Sequence, residues 1–326
     1  MKKINRSLSL LLLLLSQLSM FAQVENEKNK KYEFVKNKSV SKSYNVSSND
    51  KLTIHNSFGS VEVHTWNKNE IKVDIAIDVS SNKADFAQRL LDNIVISDDQ
   101  KSNEISFKTS INNSNNSKNT KSTMSINYSI SMPAGNPLDI SNEFGATIIP
   151  DYSGEVNLIS KFGSLTTGSL KNIKKIEVEF GKANFESIAN GAVSVKYSKA
   201  EFNKLVGNIK LNFEFCGSTK INMDNSVTSL DLKASYSTVN LQPVGNPSAT
   251  YSIFTSFGSF KNTTAIKFED DDKEEDKGPK FDKNYEGKSG SGSIPVKATT
   301  SFGKIILGEA SAEDMKEKGK SKSRTS

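Results

Sequence analysis

The chain holds a single cysteine, Cys216, in 326 residues. No internal disulfide can form, so the folded state must rest on packing and backbone pairing. Histidine is nearly as scarce, with His55 and His64 the two examples. They flank a Phe58-Gly59 corner, with Ile54 and Val63 as inward neighbours, which turns both imidazoles to solvent. A third ligand is absent from the pattern, so no metal site is assigned. No cysteine pair, HExxH or GxSxG occurs, which removes the usual signatures of zinc and serine chemistry. Only 35% of the chain is hydrophobic, lean for a globular α/β enzyme. An elongated architecture buried one repeat at a time fits better. Beyond the first residues, no apolar run approaches the roughly 20 residues that cross a bilayer as a helix.

What is present at the start reads as an export signal. Lys2, Lys3 and Arg6 precede the leucine-rich run Leu8 to Leu15, and Phe21-Ala22-Gln23 follows a polar stretch. That order predicts a secretory signal peptide over residues 1–22, with cleavage after Ala22. No cysteine sits near the cut, so lipid acylation is not expected. Losing Lys2, Lys3 and Arg6 and no acid takes the formal charge from +6 to +3. A nucleic-acid partner is therefore not implied.

Residues 23–40 read as a flexible lead-in. From 41 to 133 the period is that of half-buried strands. Leu52/Ile54, Val61/Val63 and Ile71/Val73/Ile75/Ile77 alternate with polar residues. A single helix is predicted at about 82–94, with Phe86, Leu90, Leu91 and Ile94 on one face and Ser81 or Asn82 as cap. Trp66 reads as core of this region. Ser110 to Ser122 is a polar hairpin tip between two further strands.

After Pro133 a repeat appears, an aromatic, then Gly or Ser, then a short strand. Its copies begin at Phe144-Gly145, Phe162-Gly163, Phe180-Gly181, Tyr197-Ser198, Cys216-Gly217, Tyr236-Ser237 and Phe257-Gly258. A last copy, Phe302-Gly303, follows an insertion. Self-similarity near 20 residues predicts a solenoid, because one unit alone cannot bury its apolar face. The fold class is thus all-β, a strand-rich region with one helix followed over 134–308 by a single-stranded parallel β-helix, read as right-handed. Like residues would stack about 4.8 Å apart, with the aromatic slot as an inner column and Gly set at the corner by positive φ or close approach. Cys216 would be an inert thiol in that column. An antiparallel sandwich with strands of similar spacing is the competing arrangement.

The insertion 267–293 reads as a charged loop, carrying an acidic run over 269–276 without the spacing that shapes a calcium loop. Residues 309–326 read as a disordered charged tail. Asp139, Asp151, Asp224 and Asp231 do not recur at one repeat position, so the paired carboxylates of a glycan-cleaving β-helix are not in evidence.

Several of these features together resemble a known family. They are Trp66-Asn-Lys-Asn-Glu-Ile71 after the first Phe58-Gly59 unit, Met132-Pro-Ala-Gly-Asn-Pro-Leu138 before the repeats, and the closing Thr300-Ser-Phe-Gly-Lys-Ile305. With the signal peptide, they are similar to the exported bacterial β-solenoid proteins grouped as "putative adhesins", including autotransporter-adhesin-head-like proteins. The resemblance implies a β-solenoid at the envelope of Gram-negative bacteria and brings no catalytic residues, cofactor or metal ligands. The expected function is non-catalytic adhesion or scaffolding by a repetitive polar face. Glycans or envelope and surface proteins are the expected partners, in the periplasm, at the outer-membrane surface or outside the cell. A polysaccharide lyase or hydrolase, and an envelope-stress component acting through a protein partner, are the competing functions.

Overall fold

The computed structural model describes residues 32–112, 120–270 and 281–315. The predicted signal peptide and most of the acidic run lie outside them. Strands appear wherever apolar and polar residues alternate, because that period turns one side of a pleated chain inward. The first are β1 (Phe34–Asn45), β2 (Lys51–Ser57), β3 (Val61–Thr65) and β4 (Glu70–Ser81), followed by helix α1 (Ala84–Asp92). Next come β5 (Ile94–Lys101), β6 (Glu104–Ile111), β7 (Ser122–Met132), β8 (Leu138–Glu143) and β9 (Ala146–Ile149). The long strands follow, β10 (Tyr152–Lys161), β11 (Ser164–Glu179), β12 (Lys182–Lys196), β13 (Lys199–Glu214) and β14 (Ser218–Ser235). The chain then forms β15 (Thr238–Pro243), β16 (Ala249–Ser256), β17 (Ser259–Asn262) and β18 (Phe268–Asp270). It closes with β19 (Asp282–Lys288), β20 (Ile294–Ser301) and β21 (Lys304–Leu307). The protein is all-β with one helix among the described residues, and its strands join in one large sheet.

Near the N-terminus the pairing is mostly antiparallel. Strand β1 runs against β4, β4 against β7, and β5 against β6. The change to parallel pairing comes at β2, which lies between β6 and β8, and at β3, which lies between β7 and β9. Residues 34–40, expected as a flexible lead-in, are strand instead. Their backbone pairs with β4 even though their side chains are mostly exposed, so pairing rather than burial orders them. Helix α1 is shorter than expected. Lys83 occupies the N-cap with no side-chain bond, and Phe86, Ala87 and Leu90 are buried. Ser81 instead accepts the Lys83 N–H through Oγ at 3.2 Å. Trp66 is half-buried rather than core, its Nε1–H donating to the Glu70 carbonyl at 2.7 Å.

Through the repeats each strand pairs parallel with the strand one repeat away, as in β8–β10–β11–β12–β13–β14. Register places like residues side by side. One inner row reads Ile54, Ile140, Leu158, Ile176, Val193, Leu211, Leu232, Ala298 and Ile253. Each aliphatic in it is at most 2% exposed, and burying one such side chain contributes about 1.5–3 kcal/mol. The row carries the core from the first strands to the last.

The end of the chain departs from expectation. The last copy does not follow its predecessor in space. Strand β20 lies between β14 and β16, and β21 between β15 and β17. The insertion is also more than a loop, since β19 pairs antiparallel with β16 and β18 with β19. Residues 309–315, placed in a disordered tail by composition, are tied down instead. Asp314 takes the ammonium groups of Lys261 at 2.6 Å and Lys304 at 2.8 Å. Residues 316–326 lie outside the described residues.

Candidate binding surface

At each corner one aromatic residue adopts a left-handed backbone. Phe58, Phe144, Phe162, Phe180, Tyr197, Phe215, Tyr236, Phe257 and Phe302 have φ between 49° and 64°. For a bulky L-residue that conformation costs about 1–2 kcal/mol. Except at Phe257, whose amide donates to the Phe281 carbonyl, the amide of each donates to the carbonyl preceding the next ring, as in Phe162 N–H to Glu179 O at 3.0 Å and Phe180 N–H to Lys196 O at 3.1 Å. These bonds, and the contacts between rings, hold the turn. The positive φ therefore belongs to the aromatic, not to the glycine after it.

Glycine meets the other requirement foreseen, close approach. A Cβ at Gly163 would fall inside contact distance of the Gly145 carbonyl oxygen, and one at Gly181 would meet that of Gly163. Serine serves at two corners by bonding in that space. Ser198 Oγ accepts the Gly181 N–H at 2.9 Å and donates to Lys196 O at 2.6 Å. Ser237 Oγ does the same for the Cys216 N–H, at 2.9 Å. Cys216 thus occupies the small-residue slot, and its neighbour Phe215 supplies the ring. The corner holds one residue more between ring and strand than at Tyr197, because Thr219 pairs with Ala200. The thiol is buried, as expected, and burial raises its pKa.

The rings form an outer column rather than an inner one. The nine corner rings, joined by Phe281 just before β19, stack in the order Phe58, Phe144, Phe162, Phe180, Tyr197, Phe215, Tyr236, Phe302, Phe257 and Phe281. Successive centroids are 4.6–5.1 Å apart and the planes lie within 16° of parallel. Their exposure runs from 38% at Phe58 to 54% at Phe257 and Phe281. The left-handed turn throws the side chain outward, which a reading by alternation cannot anticipate. Neighbours cover the ring faces, so water meets ring edges.

A charge row runs beside the column. Glu143, Lys161, Glu179, Lys196 and Glu214 occupy matching positions in successive strands. Lys161 meets Glu179 and Lys196 meets Glu214, each at 3.2 Å. The Glu214 carboxyl is held below its usual range by the Asn212 amide and then by Lys196. On the column's other side an open groove of about 1410 Å³ follows the small-residue slot. Its far wall includes Lys182, Lys199, Lys304 and the turn at Glu313 and Asp314.

The residues weighed for chemistry stay apart. His55 and His64 are exposed, with Ile54 and Val63 buried beside them. Asp139 on β8 accepts the Asn157 amide at 2.9 Å. Asp231 lies on β14, with β10 to β13 between the two. Asp151 accepts the Ser169 N–H at 2.7 Å, and Asp224 binds Ser226 and faces Lys204 at 3.4 Å. Among the described residues no group of three His, Cys, Asp or Glu converges as metal ligands would. No helix there is long and apolar enough to cross a membrane.

No protein-family model matches the chain, and no curated protein matches it. Among solved structures, it is similar to a "putative cell adhesion protein" from Clostridium sporogenes ATCC 15579, at 13% identity, TM-score 0.26, covering 84% of this chain and 100% of that one. A "putative adhesin" from Bacteroides fragilis NCTC 9343 matches at 13% identity and TM-score 0.34, over 83% and 97% of the two chains. A "putative lipid binding protein" from Parabacteroides distasonis ATCC 8503 matches at 8% identity and TM-score 0.29, over 86% and 98%. At such scores the likenesses carry no argument about what this chain binds.

Proposed function

We propose that the protein is an exported, non-catalytic scaffold of the cell envelope or surface, and that it works by adhesion. Its core is read as a β-solenoid. Parallel pairing between successive repeats and the single stacked column support that reading over a sandwich. The observation that carries the function is the registered outer surface. Side chains beyond the core recur at strand spacing alongside the aromatic column, as in the exposed row Thr166, Asn184, Glu201 and Lys220 on β11 to β14. A registered array of weak polar contacts gains strength by engaging a repetitive partner at many points at once. Glycans and envelope proteins offer such repetition.

The test is retention of the chain without its leader on whole cells, purified polysaccharides and envelope fractions. Retention that falls at least tenfold when Thr166, Asn184 and Lys220 on the outer row are changed to Ala supports the proposal. Release of reducing or unsaturated sugar from the same panel would replace it with an enzyme.

A further inference from the structure

We infer that the aromatic column is a self-association surface, on which a second copy of this chain docks side by side. Ten rings, each about half exposed, leave about 1,000 Å² of apolar surface in one continuous stripe. The largest apolar patch on a monomer is ordinarily about 300–600 Å². A stable interface covers about 800 Å² per partner, so the stripe alone is large enough.

The geometry narrows the occupant. Cations seek ring faces, and every ring between Phe58 and Phe281 has a stacked neighbour on both of its faces. What remains is a ridge of edges with centroids 4.6–5.1 Å apart. Another copy has the same period, so its ridge matches at every level without accumulating mismatch. The groove beside the ridge has a floor of Gly, Ser and Cys, which leaves room for a partner's ring edges. A two-fold axis along the column lets each ridge enter the other's groove at equal height. An axis across the column sets ridge against ridge. The parallel arrangement is therefore the one assigned.

Asparagine tolerates the left-handed backbone, so Phe162→Asn, Phe180→Asn and Phe215→Asn together remove ring edges and keep the corners. Circular dichroism and urea unfolding check that this variant folds. In sedimentation equilibrium the chain lacking its leader is expected to form a dimer that the triple variant weakens at least 100-fold. Spin labels on Ser60→Cys and on Ser259→Cys, each in Cys216→Ser, are expected to lie close to their mates in the dimer at both ends of the column. An antiparallel dimer brings neither pair together and contradicts the assigned arrangement. A monomer up to about 100 μM, or a triple variant that dimerises undiminished, overturns the proposal. A monomer that instead floats with phosphatidylglycerol vesicles overturns it in favour of a lipid surface. A monomer that still binds its envelope target leaves the adhesion reading standing.

Discussion

Two adjacent residues divide the work at every corner. The aromatic takes the left-handed backbone, and its strain is offset by ring contacts worth about 0.5–1.5 kcal/mol per pair. The glycine admits the backbone of the neighbouring repeat. Gly163→Ala is expected to lower stability by about 2–4 kcal/mol in urea unfolding, because backbone rather than a movable side chain fills the space. A change under about 0.5 kcal/mol would mean that the repeats do not approach so closely. Cys216 gives a second check. Its thiol is buried and its pKa raised by burial, so iodoacetamide is expected to label it only after denaturation. Labelling of the native chain at pH 8 at the rate of a free thiol would contradict the placement. The residue pattern showed that an aromatic and a small residue share each corner, and why the small one is needed. It did not show which way the ring points. Alternation speaks only for extended backbone, and one residue with positive φ reverses inside and outside. The same gap put Cys216 in the ring slot, since a one-residue excess at Phe215 is invisible in spacings that already vary.

Between elements, matched rows set the register. The alternating Glu143, Lys161, Glu179, Lys196 and Glu214 favour strands in this order, and shifting one strand by a repeat would bring like charges together. Lys161→Glu is expected to cost about 1 kcal/mol at 10 mM salt and less at 0.5 M, since the row is partly exposed and screened. Equal cost at both salts would show that packing, not charge, is responsible. The C-terminal turn titrates separately. Lys261 first, then Lys304 and Ser311, hold the Asp314 carboxyl well below the carboxylate range. A folded pKa below the unfolded value of about 3.9 means docking is in force above that pH and is lost only as pH falls through the folded value. The Asp314 ¹³Cγ signal is expected to keep its charged shift at pH 4. A midpoint near 3.9 would show that the turn is undocked. The run of core strands was readable from their alternation, because each carries its own apolar row. The placing of β20 between β14 and β16 was not, since Val296, Ala298 and Thr300 fit either side of β16 equally well. Strand β19 was hidden similarly, because it pairs by backbone with mostly exposed side chains.

Taken whole, the molecule is a line of registered levels with polar rows and an aromatic ridge on its outside. The proposed use as an adhesive scaffold, and the proposed pairing through the ridge, both depend on that line. Electron–electron distances between spin labels test it most directly, with cysteines placed pairwise at Ser164, Thr238 and Ser259 in Cys216→Ser. Register puts Lys182, Lys199 and Ser218 between Ser164 and Thr238, and Lys304 between Thr238 and Ser259. At about 4.8 Å per level the separations are about 19 Å for Ser164–Thr238, about 10 Å for Thr238–Ser259 and about 29 Å for Ser164–Ser259. The longest should equal the other two together, as for three points on a line. A Ser164–Ser259 distance shorter than Ser164–Thr238 would mean that the chain folds back on itself, and the registered stack would be wrong.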